Sequence, residues 1–326
     1  MAERDPGLSK AAPDLAAQFR RDVLEGLSRK NKVIPARWFY DRRGSELFEA
    51  ITALPEYYPT RTEVGIFQSS MSQVAAQVGP GRAVVEFGAG SMAKTPLLLD
   101  AIAPSAYVPV DISGEFLRDG CAALEARYPD LPVIPVEADF THPFALPAEA
   151  GHGARLGFFP GSTIGNMAPA PAVDLLRAMR QTLGDDAMLL IGMDLIKDRE
   201  RLIAAYDDAA GVTADFNLNL AERINRELGG TIPLDALAHR AMWNERLARI
   251  EMHLEAVRDI IFEVCGHSFE MTAGETIHTE NSHKYSRESA DLLLLAGGWE
   301  PVAHHVDDDR LFMVVLAGAI LQGRTA

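Results

Sequence analysis

Val84-Val85-Glu86-Phe87-Gly88-Ala89-Gly90-Ser91-Met92-Ala93-Lys94 decides how this chain folds. An apolar run that ends in two closely spaced glycines and then opens toward a helical pattern is the context a nucleotide-binding turn requires. Gly88 permits the tight turn, and Gly90 lets a ligand approach the backbone. Asp111 ends the next apolar run, 21 residues after Gly90, where a carboxylate accepts hydrogen bonds from ribose hydroxyls. The pattern G-x-G-x-x-A with this acid fits NAD as well as an S-adenosyl cofactor, so the turn alone leaves both open.

Outward from the turn, short apolar runs bounded by Gly, Pro, Asp or Ser predict strands at Ala83–Phe87, Ala106–Val110, Val133–Val136, Arg155–Phe159 and Ala187–Met193. Helical patterns lie between most of them, the rhythm of a parallel sheet covered on both faces. Near Asp194 the rhythm stops. Amphipathic helices at Arg199–Asp208 and Thr213–Leu228 give way to antiparallel strands at Ala248–Val257, Ile260–Val264 and Ser268–Met271, then a strand at Thr276–His283. A helix at Arg287–Ala296 and two strands, Trp299–Val306 and Arg310–Leu316, close the chain as a hairpin. That closing hairpin is the methyltransferase version of the architecture and favours S-adenosylmethionine.

Before the turn, Asp14–Leu27 and Ser45–Leu54 read as helices, and Pro55-Glu56-Tyr57-Tyr58-Pro59-Thr60-Arg61 reads as a segment its prolines hold extended. The expected class is α/β: a Rossmann-like sheet over 62–195 and 285–326, with an α+β substrate domain built from 1–61 and the insertion 196–284. Neither of those last two pieces has much core alone, so they are expected to pack together.

The chain has 326 residues, 48% apolar and 24% charged, the balance of a globular protein with a large core. Lys plus Arg is 31 and Asp plus Glu 46, a net charge of −15, which argues against nucleic acid or an anionic membrane as partner. Cys121 and Cys265 form no CxxC, and no apolar run reaches the roughly 18 residues that span a bilayer. The charged start, Met1 to Arg29, lacks the apolar stretch of a leader. A cytoplasmic monomer acting on a small molecule is expected. Nine histidines show no HExxH and no Cys/His cluster, and His278 and His283 fall on opposite faces of their strand, so no metal is expected.

Asp139-Phe140 closes the third strand, where a polar and aromatic pair can hold an adenine; a helix cap with a core Phe is the equal alternative. Phe159-Pro160-Gly161-Ser162-Thr163-Ile164-Gly165-Asn166 follows the fourth strand, at the end where such sheets place chemistry. Ser162 sits on a strand-to-loop turn, but G-S-T-I-G is not the G-x-S-x-G of a hydrolase. Glu280 and Ser282 lie two apart on a strand and face one side. A carboxylate and a hydroxyl on one wall satisfy the two nitrogens of an imidazole. Met252 either lines that pocket or packs in the core.

Tyr40-Asp41-Arg42-Arg43-Gly44-Ser45-Glu46-Leu47-Phe48 with Leu54–Arg61, the loop Phe159–Asn166, Tyr206–Thr213 and Thr279-Glu280-Asn281-Ser282-His283-Lys284 together resemble the histidine Nα-methyltransferases of ergothioneine biosynthesis. The resemblance covers nearly the whole chain, in order. It implies methyl transfer from S-adenosylmethionine to the α-amino group of L-histidine, giving hercynine. It also implies that Tyr57, Asn166 and Tyr206 hold the substrate carboxylate, while Glu280 and Ser282 read the imidazole. Gly161 by its backbone, and Tyr40 through water, would face the amine. Gly88, Lys94, Asp111, Asp139 and Phe140 would frame the cofactor.

The chemistry asks for a deprotonated amine in line with the methyl group and, for the quaternary product, an aromatic wall. Tyr40, Tyr57 and Phe48 are the candidates for that wall, while Trp38, Phe39 and Tyr58 read as core anchors. The rival readings are a methyltransferase for another amino acid such as tryptophan, an NAD-binding oxidoreductase, and a non-catalytic amino-acid-binding module.

Overall fold

A computed structural model of the chain describes residues 15–321, apart from 91 and 113. Asp14, the expected start of the first helix, and Ser91 of the glycine turn lie outside the described residues. Along the chain, α1 (Leu15–Leu27) leads through the two-residue β1 (Lys32–Val33) to α2 (Arg42–Thr52) and α3 (Tyr58–Val78). Then β2 (Ala83–Phe87), α4 (Thr95–Ile102), β3 (Ala106–Asp111), α5 (Gly114–Arg127), β4 (Val136–Glu137), β5 (Arg155–Phe159), α6 (Pro169–Leu183) and β6 (Met188–Asp194) alternate. The short α7 (Arg199–Ala204) and α8 (Val212–Leu228) precede β7 (Leu237–Asn244), β8 (Arg249–Ala256), β9 (Ile260–Val264), β10 (His267–Met271) and β11 (Thr276–His283). After α9 (Arg287–Ala296), β12 (Trp299–Val306) and β13 (Phe312–Ala319) form the last hairpin.

The main sheet has seven strands in the order β12-β13-β6-β5-β2-β3-β4. β2 pairs in parallel with β3 on one side and β5 on the other, so the chain reverses its direction of travel across the sheet at this pair. Ligands of open α/β sheets bind outside the strand C-termini at such a switch point. β13 runs antiparallel to β6 and β12 antiparallel to β13, the hairpin expected of a Rossmann-like methyltransferase sheet. Apolar clusters fill both faces, one around Val85, Phe159, Leu176 and Trp299, the other around Phe67, Val84, Leu98 and Phe312.

A second sheet, β1-β11-β8-β7, stands apart. One cluster joins Phe19, Trp38 and Phe39 from the N-terminal segment with Leu220, Ile250 and Leu254 from the stretch after β6. Trp38, Phe39 and Tyr58 are all buried, as core anchors.

The structure corrects the reading in several places, among them the helix expected over Arg199–Asp208, which ends at Ala204. The segment from Tyr58 to Arg61 is the first turn of α3 and not extended, because Pro59 sits where a helix needs no N–H donor. Arg61 pins that turn by donating to the carbonyls of Leu54, Pro55 and Tyr57. The third strand shrinks to Val136–Glu137, with an isolated bridge at Val133, since Pro132 and Pro135 interrupt the ladder. β7 pairs with β8 along its whole length but carries no clean alternation of polar and apolar residues to announce it. β1 is only two residues long and gains its place by parallel pairing with β11.

Candidate functional site

At the C-terminal ends of β2, β3 and β4, one cleft is lined by Gly88, Gly90, Lys94, Asp111, Asp139 and Phe140. Gly88 takes φ +71, a conformation that L side chains rarely adopt, and its N–H donates to the carbonyl of Val110, which folds the turn over β3. A Cβ on Gly90 would meet nothing within 4 Å, so the backbone there is open to a ligand. The Phe140 ring packs edge-on against Phe87 and Phe159 at 6.1 Å, a fixed aromatic surface. Asp139 Oδ1 accepts from the Thr141 N–H at 3.0 Å, a local turn and not a helix cap. A carboxylate at a strand end, an ammonium and an aromatic face along one open cleft match the ribose, the carboxylate and the purine of S-adenosylmethionine. The residues present therefore fit that group.

The cleft shares a wall with a second cavity. Tyr40, Phe48, Tyr57, Gly161, Asn166 and Glu280 line both, and Tyr206, Met252, Phe216 and Ser282 complete the inner one. β11 supplies Glu280 and Ser282, which alternation turns to one side, with Met252 opposite Glu280 on β8. Asn281 and His283 fall on the other face of the strand. Asn166 comes from the loop after β5, and its Nδ2 donates to Glu280 Oε1 at 3.4 Å. Tyr206 Oη and Ser282 Oγ lie 2.7 Å apart. Tyr57, at the N-terminus of α3, faces Phe48 and Tyr206 with ring centroids 6.2 Å away in each case.

Burial pushes the Glu280 carboxyl up to about 7, against the opposing pull of Lys284. Tyr40 keeps 38% of its surface exposed, yet desolvation of its phenol and the charge of Glu280 raise its pKa well above 10. It stays protonated at neutral pH. Burial raises Tyr57 and Tyr206 in the same way.

Beneath this cavity lies a buried ionic group that motif reading does not reveal. The Lys284 ammonium donates to Tyr206 Oη at 3.0 Å and Ser282 Oγ at 2.7 Å, and pairs with Asp194 Oδ2 at 2.7 Å. Those three contacts use its three N–H bonds. Asp194, 1% exposed, also accepts from Tyr58 Oη and Lys197. Burial works against Asp194, but Lys284 and Lys197 outweigh it and hold its carboxyl below the ordinary value. Lys197 itself is brought down to about 8 by burial, despite Asp194. The network separates Tyr58, tied to Asp194, from Tyr57, free to face the cavity.

Ser162 has φ +57, and its Oγ accepts from the Asp194 N–H at 2.9 Å, so it anchors the loop to β6. His278 meets His253 across the β11–β8 pair, with rings stacked at 4.7 Å and Glu251 beside them. Spacing within one strand cannot show this meeting across two. Glu251 Oε1 already accepts from Arg249 and Asn244, and His278 Nε2 lies 2.9 Å from the carbonyl of Glu280.

Sequence reasoning also missed Phe216, Glu63, Asp194 and Lys197. Lys284 follows Ser282 by two residues but carries no spacing that singles it out, and Glu63 stands on a helix with no pattern around it.

Residues 19–319 match the family described as histidine-specific methyltransferase, SAM-dependent. The histidine N-alpha-methyltransferase of Mycolicibacterium smegmatis is 42% identical over 88% of this chain and 91% of its own length. That of Mycobacterium tuberculosis is 38% identical over 92% of this chain and 94% of its own. Ergothioneine biosynthesis protein 1 of Neurospora crassa is 28% identical over 83% of this chain, which corresponds to 31% of that larger protein. With the cofactor cleft, the adjoining cavity and a match along almost its whole length, the chain belongs to the family of S-adenosylmethionine-dependent, histidine-specific methyltransferases.

Proposed function

We propose that the chain trimethylates the α-amino group of L-histidine to hercynine, the first step of ergothioneine biosynthesis. What supports this most is the wall of Glu280, Ser282 and Tyr206, opening past Asn166 and Gly161 onto the cofactor cleft. In this reading Tyr57, Asn166 and Tyr206 hold the substrate carboxylate, and Glu280 and Ser282 pair with the ring nitrogens. An apolar side chain would leave those buried groups unpaired, and an indole offers one N–H where imidazole offers two ring nitrogens, a physical reason to favour histidine over tryptophan. Met252 closes the pocket beside Glu280.

S-adenosylmethionine, when bound, supplies an electrophilic methyl group on a sulfonium. The chain's own part is to orient the amine, exclude water and remove a proton at each round. Gly161 and Tyr40 face the amine, and Tyr40 orients a water that carries the proton away; a phenol held protonated suits orientation better than strong-base work. Tyr40, Tyr57 and Phe48 form an aromatic wall for the growing cation. Residues 1–61 and 196–284 act as the substrate domain, and the sheet residues 62–195 and 285–326 as the methyltransferase domain. The enzyme works as a cytoplasmic monomer and needs no metal. Among the described residues no helix is long and apolar enough to cross a membrane.

NMR of histidine labelled with nitrogen-15 at all positions tests the chemistry. Methyl protons correlated to the α-nitrogen support it; methyl protons on a ring nitrogen overturn it.

A further inference from the structure

Glu63 lies on α3, fully buried at 0% exposure. Its two carboxylate oxygens each accept from the Gly161 N–H at 2.9 Å, and Oε2 also pairs with the Lys94 ammonium. Lys94 follows the glycine turn and lines the cofactor cleft, while Gly161 lines both cavities. One buried carboxylate therefore touches the chain on the donor side and on the acceptor side of the reaction.

Space for that carboxylate is built into the sheet. Gly192 lies inside the buried strand β6, where glycine is a weak strand former. A Cβ at Gly192 would stand 2.0 Å from Glu63 Oε1. The missing side chain is thus the seat of the Glu63 carboxylate. A buried carboxylate is costly unless paired and hydrogen-bonded, so Lys94 and the Gly161 N–H are held to it firmly.

We propose that Glu63 is a positioning residue that sets the Gly161 loop and Lys94 in register with one another, with Gly192 keeping its place. The inference rests on the reading that Gly161 faces the substrate amine and Lys94 the cofactor. Small misplacements of reacting groups cost rate more than affinity, so loss of this anchor acts on kcat.

The test uses the full chain with histidine and S-adenosylmethionine. Glu63→Gln keeps an acceptor for Gly161 but cannot pair with Lys94; kcat falls about 10- to 100-fold while the histidine KM moves less than about threefold. Gly192→Ala produces the same split from a residue that lines neither cavity. Glu63→Asp draws the carboxylate back by about one C–C bond, ~1.5 Å. Combined with Gly192→Ala it recovers part of the kcat that Gly192→Ala alone loses. A second readout needs no activity: in cofactor-free protein the Gly161 amide exchanges about tenfold faster in Glu63→Ala than in wild type, with Glu63→Gln near wild type. An unchanged kcat in Glu63→Gln, a loss confined to KM, a double variant worse than both singles, or an unprotected Gly161 amide in wild type overturns the proposal. Should Gly192→Ala fail to fold, the kcat–KM split of Glu63→Gln and the amide exchange decide alone. Failure of the wild-type protein to methylate histidine would instead sink the functional reading, leaving the exchange result to stand on its own.

Discussion

Replacing Glu280 by Gln keeps shape and removes a charge, and the structure assigns it opposite effects on stability and on recognition. The carboxyl is buried at 9% exposure, and burial raises it from 4.5 to about 7. A carboxyl whose folded-state pKa lies above the unfolded value holds its proton more tightly when folded. Its contribution to stability is complete below the unfolded value and lost as pH rises through about 7. The span of 4.5 to about 7 corresponds to about 3 kcal/mol at about 1.4 kcal/mol per unit. Glutamine does not titrate, so ligand-free Glu280→Gln gains on wild type by up to about 3 kcal/mol between about pH 5 and about pH 8. Recognition moves the other way. A hydrogen bond to a charged acceptor is worth about 1 kcal/mol more than a neutral one, so the histidine KM at about pH 8 rises roughly five- to tenfold. Urea unfolding at both pH values and steady-state kinetics read the two effects. A variant that loses stability relative to wild type as pH rises, or one whose histidine KM is unchanged, would refute the reasoning.

Other expectations follow from the same geometry. Glu280→Ala lowers the kcat/KM preference for histidine over tryptophan by about tenfold or more, read by competition between the two amino acids; an unchanged preference removes Glu280 from the recognition wall. Tyr40→Phe lowers kcat by a modest factor, about 3- to 30-fold, and complete loss of methylation in a folded variant contradicts the orienting role. Lys284→Met breaks a buried ion pair, but Asp194 keeps Lys197 and Tyr58. The cost is therefore near the lower end of such losses, about 2–4 kcal/mol in urea unfolding, and the histidine KM rises because Tyr206 and Ser282 lose their common donor. In wild type the histidine KM climbs as pH falls below about 6.5, where Glu280 and the ligand ring both carry protons, and Glu280→Gln flattens that limb.

Much of the catalytic sheet was legible because its signals are local. The Ala83–Phe87 and Arg155–Phe159 strands stand at their expected bounds, since each is a short apolar run between strong turn residues, and the closing Trp299–Val306 strand does so between Gly298 and the Asp307-Asp308-Asp309 turn. The cofactor cleft follows from strand ends and a glycine turn, and the alternation of Glu280 and Ser282 from strand geometry alone. What escaped is non-local. β7 owes its existence to β8, and the start of α3 was hidden because Pro59 reads as a breaker until its place in the first turn is known. Glu63 meets Lys94 and Gly161, and Asp194 with its near neighbour Lys197 meets Lys284 and Tyr58, each across separate elements. A buried charge acquires its reason only from its partners, and sequence spacing does not hold that information. His278 shows the same limit, for its neighbour His253 lies on another strand.

On this reading the site selects histidine and methylates its α-amine to completion. Mass spectrometry of the purified protein with S-adenosylmethionine and an equimolar mixture of the proteinogenic amino acids tests it most directly. A single product about 42 mass units above histidine is expected, roughly three CH₂ increments on one positioned amine. Trimethylation of a different amino acid, or no methylated product while S-adenosylmethionine still binds, would contradict it.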